Sequence, residues 1–222
     1  MLSCFKPGLD STPLAEKFRS AAAALAGTLL LGWGLHFLPA VGYPLSLLAS
    51  MAAGAVLLYA VPHSPMAQPW PLLAGNMISG AIGWGCAVLI PDVVVASACA
   101  VGFSVLIMHL TRSLHPPGAA TAIAMVLNSA LFLQHGWLWA ASVVLANVLL
   151  ALVLAFVINN LVHAGRYPVH RHPAPKPDVS HQQLAVEDVA WAMRQMEGVT
   201  DVSEDDLLEI YRLAAEHARN NP

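Results

Sequence analysis

Met108-His109-Leu110-Thr111-Arg112-Ser113-Leu114-His115-Pro116-Pro117-Gly118-Ala119-Ala120-Thr121 marks the point where one long apolar run stops and the next begins. The run before it ends near Thr111. Pro117 suits the first turn of a new helix, where its missing N–H would have had no intrahelical partner. Outward on both sides the sequence stays apolar, and between Ser20 and Gly165 the only formal charges are Asp92 and Arg112. The chain as a whole is 57% hydrophobic and 10% charged, against about 25% charged in ordinary soluble domains. Two charges cannot clothe a surface that large for water, so most of it faces lipid.

A crossing takes about 20 predominantly apolar residues. Six stretches are expected to serve: 19–38, 45–61, 72–90, 93–111, 117–133 and 137–161. They are separated by turn chemistry at Pro39-Ala40-Val41-Gly42-Tyr43-Pro44, Pro62-His63-Ser64-Pro65, Pro91-Asp92, His115-Pro116-Pro117-Gly118 and Gln134-His135-Gly136. The fifth stretch is short and interrupted by Asn128 and Ser129, which leaves both a full and a re-entrant passage open. The fold class is therefore all-α, a polytopic membrane bundle of about six transmembrane helices with a short cytoplasmic helical tail.

With six crossings, all ten Lys and Arg residues fall on one side, from Lys6, Lys17 and Arg19 through Arg112 to Arg166, Arg171 and Lys176. The other side receives only Asp92. The positive-inside rule then places both termini in the cytoplasm. No cleavable signal or organellar leader is evident, so a bacterial inner membrane is expected.

The chain divides into an N-terminal cytoplasmic segment (1–18), the membrane domain (19–162), a Pro/His-rich linker (163–182) and a small helical tail (183–222). In the tail, 183–198 and 203–219 have amphipathic character, and Ser203 with Asp206 resembles a capping box. Cys4, Cys86 and Cys99 form no disulfide framework. Gly75, Ser79 and Gly83 on the third stretch, and Ser50 and Gly54 on the second, are spaced by four. In lipid such stripes allow close backbone approach, either within the chain or between subunits of a homo-oligomer.

Chemistry is expected where connections enter helix starts. The N–H groups of Gly118, Ala119 and Ala120 would point back toward His115, and a helix start carries partial positive charge that favours an anion. Arg112 supplies the one full positive charge of the membrane domain, and His115 can donate a hydrogen bond or gain charge. The same residues also admit a plainer reading, a helix start and a charged anchor.

The second connection, Pro62-His63-Ser64-Pro65-Met66-Ala67-Gln68-Pro69-Trp70, echoes the motif. A parallel repeat of two-helix units would put His63 and His115 on the same face. Asn76, Ser104, Thr121, Asn128 and Asn147 are amides and hydroxyls inside apolar runs. They either bond between helices or line a path. No Asp, Glu or Lys lies in mid-membrane, which speaks against a carboxylate-based proton or sodium pump.

Leu114-His115-Pro116-Pro117 followed by Gly118-Ala119-Ala120-Thr121-Ala122 resembles the signature of the HPP family of integral membrane proteins. Pro65-Met66-Ala67-Gln68-Pro69, with Gly75 after it, is similar to that family's other recurrent stretch. The resemblance covers about residues 15–162. Family members usually read His-Pro-Pro-Ala-Gly-Ala-Thr, whereas Gly118 comes first here, and Asn76 stands where a His is expected. Some relatives carry paired nucleotide-sensing CBS domains, which this chain is too short to hold after its membrane region. Plant-plastid and cyanobacterial relatives are described as nitrite transporters. The resemblance thus implies a role for His115, Pro116, Pro117 and Thr121 in handling a small anion.

Three functions are weighed. The first is a transporter or channel for a small inorganic anion, nitrite or nitrate, contacting Arg112, His115, Pro116, Pro117, Gly118, Ala119, Thr121, His63 and Asn76. The second is a non-catalytic scaffold or sensor acting through the tail. The third is a membrane enzyme built on His63, His109 and His115, against which stands the lack of an intramembrane carboxylate to orient them. No catalytic residue, metal, cofactor or nucleic-acid partner is expected; the expected partners are the lipid bilayer and the anion.

Overall fold

The computed structural model describes residues 13–37, 47–162, 167–168, 191 and 210–216. They form six α-helices: α1 (Leu14–Phe37), α2 (Ser50–Ala60), α3 (Pro69–Leu89), α4 (Val93–Leu110), α5 (Pro116–Leu127) and α6 (Ser129–Val162). A short 3₁₀ turn, Pro65–Ala67, lies between α2 and α3. No strand occurs among the described residues. The protein is a multi-pass helical membrane bundle.

α1 and α4 each show one narrow stripe to the interior and a broad apolar face outward. On α1 the buried stripe is Ala23, Gly27, Leu31 and Leu35, while Leu25, Leu29, Trp33 and Phe37 are exposed. On α4 it is Ala96, Ala100, Ser104 and Met108, with Val94, Phe103, Leu106 and Leu110 outside. An exposed face of that composition belongs against acyl chains. Asp92, the acidic residue that the sequence isolates, caps α4 by accepting from Val95 N at 2.8 Å.

Four helices are long and apolar enough to cross a membrane: α1, α3, α4 and α6. The expected second and fifth spans are corrected. α2 begins at Ser50 rather than 45, because Leu48 N–H donates to Asn147 Oδ1 on α6 at 3.0 Å instead of entering a helical ladder. It ends at Ala60, where Pro62 forces Val61 out of the helical region (φ −135°, ψ 58°). α5 stops at Leu127 rather than 133, as Asn128 turns its amide back onto Ala124 O at 2.9 Å. At about 1.5 Å per residue neither helix approaches the roughly 30 Å of hydrocarbon by itself. The expected break at Gly136 is present inside α6, with φ 80° and ψ 171°.

The side-chain pairings give the helix directions. Asn147 and Asn159 of α6 bond Leu48 N and Leu58 O, so α2 and α6 run parallel. α3 and α5 also run parallel and make the most extensive helix contact. Gly75 faces His115, and Gly83 faces Ala122. The Gly75, Ser79, Gly83 stripe therefore serves packing within the chain. After α6 the chain returns to the bundle: Tyr167 is buried, donates through its hydroxyl to Ala67 O at 2.9 Å, and is held by Asn160 on both backbone groups.

The chain divides into two compact units, a membrane unit of Arg19–Val169 and a second of Met1–Phe18 with His170–Pro222. In the second unit residues 210–216 are helical, and Ile210 and Ala214 pack with Trp191 and Leu213. The rest of the expected tail helices, the Ser203 capping box and most of the linker lie outside the described residues.

Candidate functional site

Beside the asparagines that join α6 to α2, the interior of the membrane unit is polar where the two short helices meet α3. Thr121 of α5 lies 2.7 Å from Asn76 Oδ1 of α3 and 2.8 Å from Ser50 Oγ of α2. A hydroxyl has one proton. Thr121 Oγ1 is the donor to both, so it gives that proton to Asn76 Oδ1 or to Ser50 Oγ, one at a time. Asn76 Nδ2 donates to Leu72 O at 2.8 Å. The three side chains are sealed at 1% exposure or less, and this decides that they bond one another rather than water. Ser79 adds a hydroxyl 3.8 Å from Met108 Sδ, and Ser104 Oγ of α4 is buried without a hydrogen-bond partner. The result is an uncharged polar seam through α2, α3 and α5, with α4 behind it.

His115 forms the end of this region. It is the N-cap of α5, and Pro116 and Pro117 occupy the first turn. The ring is fully buried, with Nδ1 2.9 Å from Met66 O and Nε2 lacking any partner. A carbonyl only accepts, so Nδ1 carries the hydrogen. In the neutral ring Nε2 then presents a bare lone pair.

The expected corner of Arg112, His115 and free amides is not what the fold builds. Arg112 is exposed while His115 is sealed, so they do not close on one pocket. Arg112 has φ +52°, and Ser113 N donates to Met108 O (2.8 Å) while Arg112 N donates to His109 O (3.2 Å). That pair of bonds is a Schellman stop, with Arg112 where glycine is usual. Gly118 N donates to His115 O at 2.8 Å, and a side chain on Gly118 would come within 3.0 Å of both Gly75 O and Ser79 Oγ. Its smallness lets α5 press on α3 rather than opening a cradle. Pro116 is exposed, Pro117 is buried and Ala119 is half-buried. A left-handed non-glycine residue costs roughly 1–2 kcal/mol, partly offset by glycine's greater unfolded entropy. Arg112→Gly is therefore expected to stabilise the protein by about 0.5–1 kcal/mol, read as a rise in melting temperature in detergent.

His63 sits half-buried in the turn before the 3₁₀ turn. The position on α3 equivalent to His115 is instead Gln68, the N-cap ahead of Pro69, whose amide donates to Pro62 O and Ser64 O. His63 thus precedes the N-cap position of α3 by five residues. His109 is exposed at the end of α4. Among the described residues no three His, Cys, Asp or Glu gather as metal ligands would. A water-sized gap bounded by Gly27, Thr28, Met51, Tyr59, Leu72 and Ala151 lies between α1, α2, α3 and α6, and its walls are mostly apolar.

The model of the HPP transmembrane region matches residues 10–168, most of the chain. This protein belongs to the HPP family. Two transmembrane proteins of Dictyostelium discoideum are similar: one is 34% identical over 67% of this chain and 53% of its own length. The other is 38% identical over 55% of this chain and 40% of its own length. The chain thus spans about half the length of the curated relatives it matches. No solved structure matches.

In this HPP protein the His-Pro-Pro tripeptide is the cap and first turn of α5, aimed into the bundle. The structure brings together His115, Pro117, Gly118, Thr121 and Asn76 of the expected residues, and leaves Arg112 exposed outside them. Ser50, Ser79 and the Met66 carbonyl are the participants that sequence reasoning missed. Ser50 stood out only as a small residue, because its partner is 71 positions away.

Proposed function

We propose that this protein transports a small polar solute, an inorganic anion such as nitrite or nitrate, along the seam of Ser50, Asn76 and Thr121. The observation that carries this reading is the meeting of two helices too short to cross alone, α2 and α5, at a buried run of uncharged hydroxyl and amide groups. Interrupted helices converging on buried polar groups are how many membrane carriers build a solute site. Polar side chains inside a bundle are otherwise uncommon and face either partners or a path. Hydroxyls and a side-chain amide suit a small planar oxyanion, to which they donate. The Lys and Arg asymmetry supports both tails on the cytoplasmic side of a bacterial inner membrane.

Purified protein in liposomes tests this directly. Nitrite and nitrate are expected to enter faster than in protein-free vesicles, and a neutral solute of similar size more slowly than either. Equal rates with and without protein for the whole set would end the transport reading.

A further inference from the structure

We propose that His115 Nε2 takes up a proton for each anion carried, making transport an electroneutral anion–proton symport. This rests on the transport reading above and specifies its coupling.

Two independent features of the bundle lead there. The first is the ring itself: Nδ1 is committed to Met66 O, and the buried Nε2 has no donor. A buried acceptor left unpaired is costly, so this atom is poised for a donor or a proton. The second is the charge inventory. The titratable or charged side chains on the elements around the ring are Tyr59 of α2, His63 before the 3₁₀ turn, Cys86 of α3, Cys99 within α4, His109 and Arg112 at its end, and His135 and Tyr167 from α6 onward. His109 and Arg112 are exposed, and the sole carboxylate between Ser20 and Gly165 is Asp92, the cap at the opposite end of α4 from Arg112.

Among the described residues of the membrane unit, a protonated His115 therefore finds no fixed counter-anion. A bare anion in the seam likewise finds no fixed cation. Either charge alone in a low-dielectric interior is costly by several kcal/mol. Together they cancel. The proton comes from the entry side, resides on Nε2 while the anion occupies the seam beside it, and leaves on the far side with the anion. Nδ1 keeps its hydrogen on the Met66 carbonyl throughout, so the ring stays oriented.

The experiment uses the full chain in liposomes enclosing a pH-sensitive dye, with an acid-outside gradient from about pH 6 outside to about pH 7.5 inside. Nitrate is the main probe, because its acid is too strong to cross lipid undissociated; nitrite is run beside it with protein-free vesicles subtracted. The acid-outside gradient is expected to drive uptake and acidify the lumen as anion enters. A potential set by potassium and valinomycin should leave the rate unchanged. His115→Asn retains a donor for Met66 O and removes the Nε2 lone pair. At equal monodisperse yield it should lose gradient-driven uptake at least tenfold.

Uptake that follows the potential and ignores the proton gradient would overturn the symport while leaving transport standing. Undiminished proton-coupled uptake by His115→Asn would remove His115 from the coupling. Absence of anion uptake under every gradient would overturn both this inference and the transport reading.

Discussion

Gly83→Ala is expected to abolish most of the folded yield of this protein. A β-carbon at Gly83 would lie 2.8 Å from Ala122 Cα and 2.9 Å from Ala122 C, nearer than real β-carbons approach, and closer still to the Ala122 carbonyl oxygen. All of these atoms are backbone, so no side chain can rotate away. Relief requires α5 to move off α3, and α5 is also tied by Thr121 to Ser50 and Asn76. Between helices in lipid, such close contact is the main attraction, because the hydrophobic effect does not drive them together. Overpacking typically costs about 1–3 kcal/mol, and the rigid backbone here puts the cost at or above the top of that range. Gly102→Ala is the control: Gly102 is exposed, nothing lies within 4 Å of its added carbon, and alanine is the better helix former. Size-exclusion profiles and thermal stability in detergent should separate the two, with Gly83→Ala aggregated or strongly destabilised and Gly102→Ala unchanged or improved. Equal profiles would contradict the α3–α5 register.

The second large effect separates structure from transport at the seam. Thr121→Val alone leaves Asn76 Oδ1 and Ser50 Oγ buried without their donor, whereas Asn76→Leu alone leaves Thr121 a second acceptor in Ser50 Oγ. Each orphaned group costs about 1–3 kcal/mol, at the lower end inside a membrane, where measured bonds average nearer 0.6 kcal/mol. Replacing both by apolar groups of similar shape removes the mismatch and can be nearly neutral. The double variant Asn76→Leu/Thr121→Val is therefore expected to melt higher than Thr121→Val alone. A double variant that is less stable than Thr121→Val would show that the two side chains are not partners.

The membrane character was legible from Asp92 and Arg112 alone, since two charges over so long a stretch leave no other surface. Helix ends were legible wherever proline set them, at Pro62, Pro91 and Pro116, because proline acts locally. Asn128 was legible as a weak point and proved to be the end of α5. The late start of α2 was not, because the donor at Leu48 is satisfied by Asn147, a residue 99 positions later. Pairings of that kind leave no local trace. Arg112 misled for a related reason. A lone cation in an apolar domain suggests an anion, whereas its left-handed backbone, decided by how the end of α4 meets the following turn, makes it a helix stop. Thr121 was read correctly as a motif residue and Asn76 only as a departure from one; that they touch each other and Ser50 required three helices to be in place.

Nitrate uptake by the Asn76→Leu/Thr121→Val protein, reconstituted at the same monodisperse density as the unmodified chain, tests the seam as a path most directly. Removing an amide and a hydroxyl that would each hydrogen-bond the solute should lower the rate at least tenfold, about 1.4 kcal/mol of barrier, in a protein that is still folded. Uptake at the unmodified rate by that folded variant would mean that the solute does not pass Ser50, Asn76 and Thr121, and that these groups only hold α2, α3 and α5 together.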